Sequence, residues 1–69
     1  MQALSKASQG TYTIKWMFGI PEILKQLREW KIQEGNEIQV VASYRHCVLV
    51  GVGSRRFVLD DEVAQRIQV

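Results

Sequence analysis

Residues 47–60 read Cys-Val-Leu-Val-Gly-Val-Gly-Ser-Arg-Arg-Phe-Val-Leu-Asp, and this stretch decides the fold. Two runs of β-favouring residues, Cys47 to Val52 and Arg55 to Leu59, flank Gly53-Ser54. A two-residue link with glycine first suits a type II′ hairpin turn, which needs a positive φ at its first position. With the turn placed there, Val52 faces Arg55, Val50 faces Phe57 and Val48 faces Leu59. Side chains alternate between the two faces of a strand, so these pairs share one face, assigned to the core. The opposite face sets Leu49 across from Val58 and Gly51 across from Arg56. A sheet with one solvated face should alternate cleanly between apolar and polar residues. The Leu49/Val58 face does not. It is therefore expected to be covered by a helix, by the N-terminal segment or by another subunit.

Upstream, Ser43 to His46 reads as a polar loop and Glu37 to Ala42 as a strand, with Ile38, Val40 and Ala42 on one side. Gly35-Asn36 turns the chain before it. A helix is predicted from Pro21 to about Trp30. Proline at the first helical position sacrifices no hydrogen bond, and Ile20, Ile23, Leu24 and Leu27 form one apolar stripe. Before the helix, Tyr12, Ile14 and Trp16 alternate with Thr11, Thr13 and Lys15, the period of a strand over Thr11 to Trp16. Met17-Phe18-Gly19 reads as a turn. Met1 to Gln9 is expected to be a loosely ordered start to a single domain over residues 1–69. Downstream of the hairpin, Asp60 is placed to cap a single helical turn, and Asp61 and Glu62 suit its positive end. Ile67 to Val69 closes the chain as a short strand. This order predicts a mainly β fold. It is a small, partly closed five-stranded barrel with one helix after the first strand and a short helical turn before the last, an arrangement that limits exposed strand edges.

With 69 residues there is room for one domain, and a chain this short buries only about 60% of its unfolded surface. Hydrophobic residues make up 46% of it, enough for a thin core and against disorder. That thin core and the apolar second face motivate an expectation of self-association. One cysteine cannot form an internal disulfide, which favours a reducing compartment. Met1 to Gly10 lacks the apolar run of a signal peptide. The longest uninterrupted apolar stretch, Cys47 to Val50, is far short of the ~20 residues of a membrane span. A net charge of +2 is mild, and its cations are scattered apart from Arg55-Arg56, unlike the clustered stripe of a nucleic-acid domain.

Catalytic constellations are nearly absent, and no enzyme is expected. His46 and Cys47 are adjacent, so on a strand their side chains point to opposite faces, poor geometry for a nucleophile and its base. The same two residues are the weak alternative for a metal site, but nothing supplies the spaced ligand set a structural zinc site needs. Gly51-Val52-Gly53 opens no helix and is no phosphate loop. Large apolar residues and arginines are favoured at recognition surfaces. Met17, Phe18 and Trp30, together with Lys31, Arg55 and Arg56, are therefore the candidate partner contacts.

Taken in order, these motifs resemble the FeoA family. Leu4-Ser5 and Gly10 resemble the family's start. Ile20, Leu24, Leu27, Arg28, Ile32, Gly35 and Ile38-Gln39-Val40-Val41 follow the order of its helix, turn and Val-rich strand. Gly53-Ser54-Arg55, Phe57-Val58-Leu59, Asp61-Glu62-Val63-Ala64 and Ile67 resemble its close. The resemblance spans about residues 4 to 69. Two departures stand out. The chain has Trp30-Lys31 where the family has Leu-Gly, and Glu34-Gly35 where the family has Pro-Gly. The resemblance implies an SH3-like barrel, found also at the C-terminus of DtxR-type repressors. It further implies a cytoplasmic role in ferrous iron uptake through contact with the GTP-binding part of the FeoB transporter, without a cofactor of its own. Two alternatives compete with it: a nucleic-acid-binding barrel and a metal-responsive module built on His46 and Cys47.

Overall fold

The computed structural model describes all 69 residues, Met1–Val69. It contains six strands: β1 (Gly10–Thr13), β2 (Trp16–Met17), β3 (Glu37–Ser43), β4 (Cys47–Val52), β5 (Arg55–Asp60) and β6 (Ile67–Gln68). Helix α1 (Pro21–Glu29) follows β2, and the single turn α2 (Asp61–Ala64) precedes β6. Four strands form one antiparallel sheet in the order β1-β3-β4-β5, while β2 and β6 pair separately.

The central hairpin forms as the sequence requires. Val52 pairs with Arg55, Val50 with Phe57 and Val48 with Leu59. Gly53 adopts φ +60°, and Ser54 is not among the positive-φ residues, which is the signature of a type II′ turn. Val48, Val50, Val52 and Leu59 are buried and Phe57 is half-buried.

The remaining strands carry two corrections. The expected first strand splits in two. Ile14 exchanges hydrogen bonds with the Gly35-Asn36 turn, donating to the Asn36 carbonyl (2.9 Å) and accepting from Gly35 N–H (2.8 Å). Lys15 N–H instead donates to the Gln68 carbonyl (2.8 Å). The chain thus leaves one sheet and joins the other between Ile14 and Trp16. That change of partner breaks the alternation: Ile14 stays buried, Trp16 turns out to solvent and Met17, expected in a turn, points inward. In β3 the register shifts between Val40 and Ala42, leaving Val41 as the extra residue of a bulge. Ala42 therefore lies opposite Leu49, on the face away from Ile38 and Val40.

The N-terminal segment is tied down rather than loosely ordered. Leu4–Lys6 forms a 3-10 turn, and Leu4 and Ala7 are buried. Gln2 and Val69 exchange two backbone hydrogen bonds of 2.9 and 2.8 Å, so the last residues lie between β2 and the chain's own start. Fully burying a leucine side chain contributes on the order of 2 kcal/mol, which adds to the buried Ala7 and the Gln2–Val69 hydrogen bonds in holding the segment. All fifteen buried residues are apolar, and no buried side-chain polar atom lacks a partner.

Helix α1 ends in a Schellman arrangement. Ile32 N–H donates to the Leu27 carbonyl (2.9 Å) and Lys31 N–H to the Arg28 carbonyl (3.0 Å). Ile32 and Leu27 are both in the core, the apolar contact that accompanies this motif. Lys31 occupies the left-handed position with φ +66°, where glycine is usual. The helix exit of this chain therefore keeps a glycine-type geometry without the glycine.

Candidate protein-contact surface

The apolar stripe of α1 is wider than the surface it docks on. Leu27 is buried and Leu24 half-buried, but Ile20 is 58% exposed and Ile23 38%. The apolar stripe expected over Ile20, Ile23, Leu24 and Leu27 is therefore buried only along its Leu24 and Leu27 side. Ile20 precedes the helix in an extended conformation, so its side chain leaves the helical stripe. Beside it, Trp16 (53% exposed) and Phe18 (38%) pack ring to ring at 5.0 Å. The Arg66 guanidinium carbon lies 5.9 Å from the Phe18 ring. Arg66 is oriented by its Nε donating to the Glu62 carbonyl (3.1 Å) and by a 3.8 Å ion pair with the Glu62 carboxylate.

These side chains frame a groove between α1 and α2. At one end a space of about 300 Å3 is lined by Gly19, Ile20, Ile23, Asp60, Glu62, Val63 and Arg66. Sharing Ile23, Val63 and Asp60, the groove continues as a space of about 200 Å3 between α1 and the free edge of β5, toward Trp30 and Val58. The sheet face on which Leu49 meets Val58 is left uncovered by the chain itself: Leu49 is half-buried and Val58 66% exposed.

The contacts expected from sequence are distributed unevenly around this surface. Phe18 stands at the Ile20 end. Trp30 stacks on Phe57 at 4.7 Å and 13°, and Arg55 lies over the same Phe57 ring at 5.0 Å. Lys31 is exposed at the helix exit, and Arg56 is exposed on the outer sheet face. Met17 is corrected: it is 5% exposed and belongs to the core, because pairing with Ile67 turns it inward. Ile20, Ile23 and Arg66 were missed as surface residues, while Val58 lies on the second sheet face where the hairpin register puts it. Periodicity put Ile20 and Ile23 in one apolar stripe with Leu24 and Leu27, and no local signal separates an apolar residue that finds a partner from one that does not.

His46 is an exposed loop residue whose carbonyl accepts from Asp61 N–H at 3.0 Å, and Cys47 is a half-buried free thiol. No three His, Cys, Asp or Glu side chains gather where a metal ion could sit. What the arrangement offers chemically is apolar area bordered by fixed charges, the make-up of a protein-contact patch.

The fold is that of a small SH3-like domain. Over 97% of its length the chain superimposes on 33% of ScaR with bound Cd2+ (TM-score 0.87, 21% identity), a DtxR-type protein. It also superimposes on an iron uptake regulatory protein FeoA (TM-score 0.85, 24% identity, 94% of this chain and 89% of that one). A third match is the zinc complex of Stenotrophomonas maltophilia FeoA, described as a prokaryotic SH3 domain protein (TM-score 0.76, 28% identity, 100% of this chain and 89% of that one). No curated protein sequence matches the chain. The FeoA domain model matches residues 3–69, and the chain belongs to the FeoA family, which is associated with ferrous iron transport. No helix is long and apolar enough to cross a membrane.

Proposed function

We propose that this chain is a cytoplasmic accessory protein of ferrous iron uptake, acting without catalysis by docking on the GTP-binding part of a FeoB-type transporter. The observation that carries this reading is the exposed apolar groove at the start of α1, on a chain of a transport-associated family. A membrane transporter's soluble domain can present an apolar element to such a groove. The Phe18 and Ile20 side chains would be its anchors, with Arg66 and Glu62 orienting it from the rim. The Stenotrophomonas FeoA has been put forward as an activating factor of bacterial ferrous iron transport, which fits a contact-based role.

The test is retention of FeoB from the same source by immobilised protein, with and without guanine nucleotide. Ile20→Glu, exposed and outside the core, is expected to lower retention by at least about tenfold, the scale of losing one interface anchor. Retention of FeoB unchanged by Ile20→Glu would remove the groove from the reading, and no retention in any nucleotide state would remove the partner.

A further inference from the structure

Strand β5 is the free edge of the main sheet, and its sequence is self-complementary when read against a second copy. The residues that close a two-residue hairpin exchange both their hydrogen bonds. In the β4–β5 ladder the bonded pairs are therefore Val52/Arg55, Val50/Phe57 and Val48/Leu59. The backbone groups of Arg56 and Val58 point the other way, to the open edge. Neither residue takes part in any backbone bond outside the regular ladders. Side chains of Arg56, Val58 and Asp60 share the outer face, and all three are exposed.

We propose that a second copy of this chain pairs antiparallel along β5, about a two-fold axis at Val58. In that register Val58 of one copy bonds Val58 of the other through both backbone groups. Each Arg56 then stands directly across from the other copy's Asp60, with two such ion pairs related by the axis. Directly opposed opposite charges stabilise a cross-strand pair and like charges oppose it. A charged residue on an edge strand ordinarily blocks pairing; here it selects one register. Sliding the strands to centre on Arg56 would set two guanidinium groups against each other. Centring on Asp60 would do the same with two carboxylates. The contact is isologous, so it closes on two copies and does not propagate. The Asp60 carboxylate already accepts from Val63 N–H through Oδ1 (2.9 Å), which fixes the side chain while leaving its second oxygen for Arg56. Val58 lines the Trp30 end of the α1 groove and Asp60 lines both ends, so pairing along β5 and docking in the groove share Asp60.

Sedimentation equilibrium of the whole chain, up to about 1 mM, tests this. A monomer–dimer equilibrium is expected. Arg56→Glu, which makes both pairs repulsive, should raise the dissociation constant about tenfold or more, and Asp60→Asn should raise it less. Independently, Val58→Cys in a Cys47→Ser background should oxidise to a disulfide dimer. Thr11→Cys on the opposite edge, in the same background, should not. A chain that stays monomeric throughout, or a dimer indifferent to Arg56→Glu, would overturn the proposal. So would equal cross-linking through Thr11→Cys, and so would capture of a different protein by an edge that forms no dimer.

Discussion

Lys31 holds the left-handed position that ends α1, and glycine there should be more stable than alanine. Its φ of +66° places its Cβ against the neighbouring backbone, a conformation that costs an L-residue roughly 1–2 kcal/mol. Glycine removes that cost but gives the unfolded chain more freedom, an opposing effect of about 0.5–1 kcal/mol. The side chain itself is exposed, and the one hydrogen bond the residue takes from a side chain, from Asn36 Nδ2 at 2.9 Å, goes to its carbonyl. Glycine keeps that bond and both Schellman bonds. A cation here also interacts with the helix dipole, worth about 0.3–1 kcal/mol, and this is lost in any neutral variant. Lys31→Ala is therefore the reference, since it loses the charge and keeps the strain. Lys31→Gly should exceed Lys31→Ala by about 1 kcal/mol. For a domain of this size that difference corresponds to a Tm about 4–8 °C higher. Thermal melts and urea titrations of the three proteins measure it. Equal stability of the alanine and glycine variants would refute the backbone argument and leave Lys31 as an ordinary surface residue.

Two further perturbations probe the same physical account. Leu4→Ala should cost about 2–5 kcal/mol, since Leu4 is fully buried and docks the N-terminal segment. A loss under ~0.5 kcal/mol in chemical denaturation would mean that the segment is dispensable. Asp60→Ala removes the side-chain cap on Val63 N–H and should cost about 1 kcal/mol, whereas Asp60→Asn, whose amide oxygen still accepts, should be nearly neutral. Equal losses in the two variants would show that the carboxylate's charge, not its capping bond, stabilises the turn.

The hairpin of β4 and β5, helix α1 and the capped turn α2 were all legible in the amino-acid sequence. Each rests on interactions between near neighbours: a glycine able to take positive φ at position 53, a proline at the first turn, a carboxylate three residues before the N–H it caps. The family was legible for the same reason, as an ordered series of such local signals. What the tertiary structure decided was which partner each segment meets. Ile14 and Trp16 satisfy one period on paper, yet Lys15 bonds to Gln68 and the two side chains part, one to the core and one to solvent. The β3 bulge turns Ala42 away from Val40 because the register with β4, not the local pattern, sets the pairing. Ile20, Ile23 and Val58 are as apolar as Ile32 or Val50. They form a surface only because nothing else in the chain reaches them. Hydrophobicity is a property of the residue, whereas burial depends on packing among distant parts of the chain. The core was therefore largely readable from sequence, while the groove and the free β5 edge emerged only on folding.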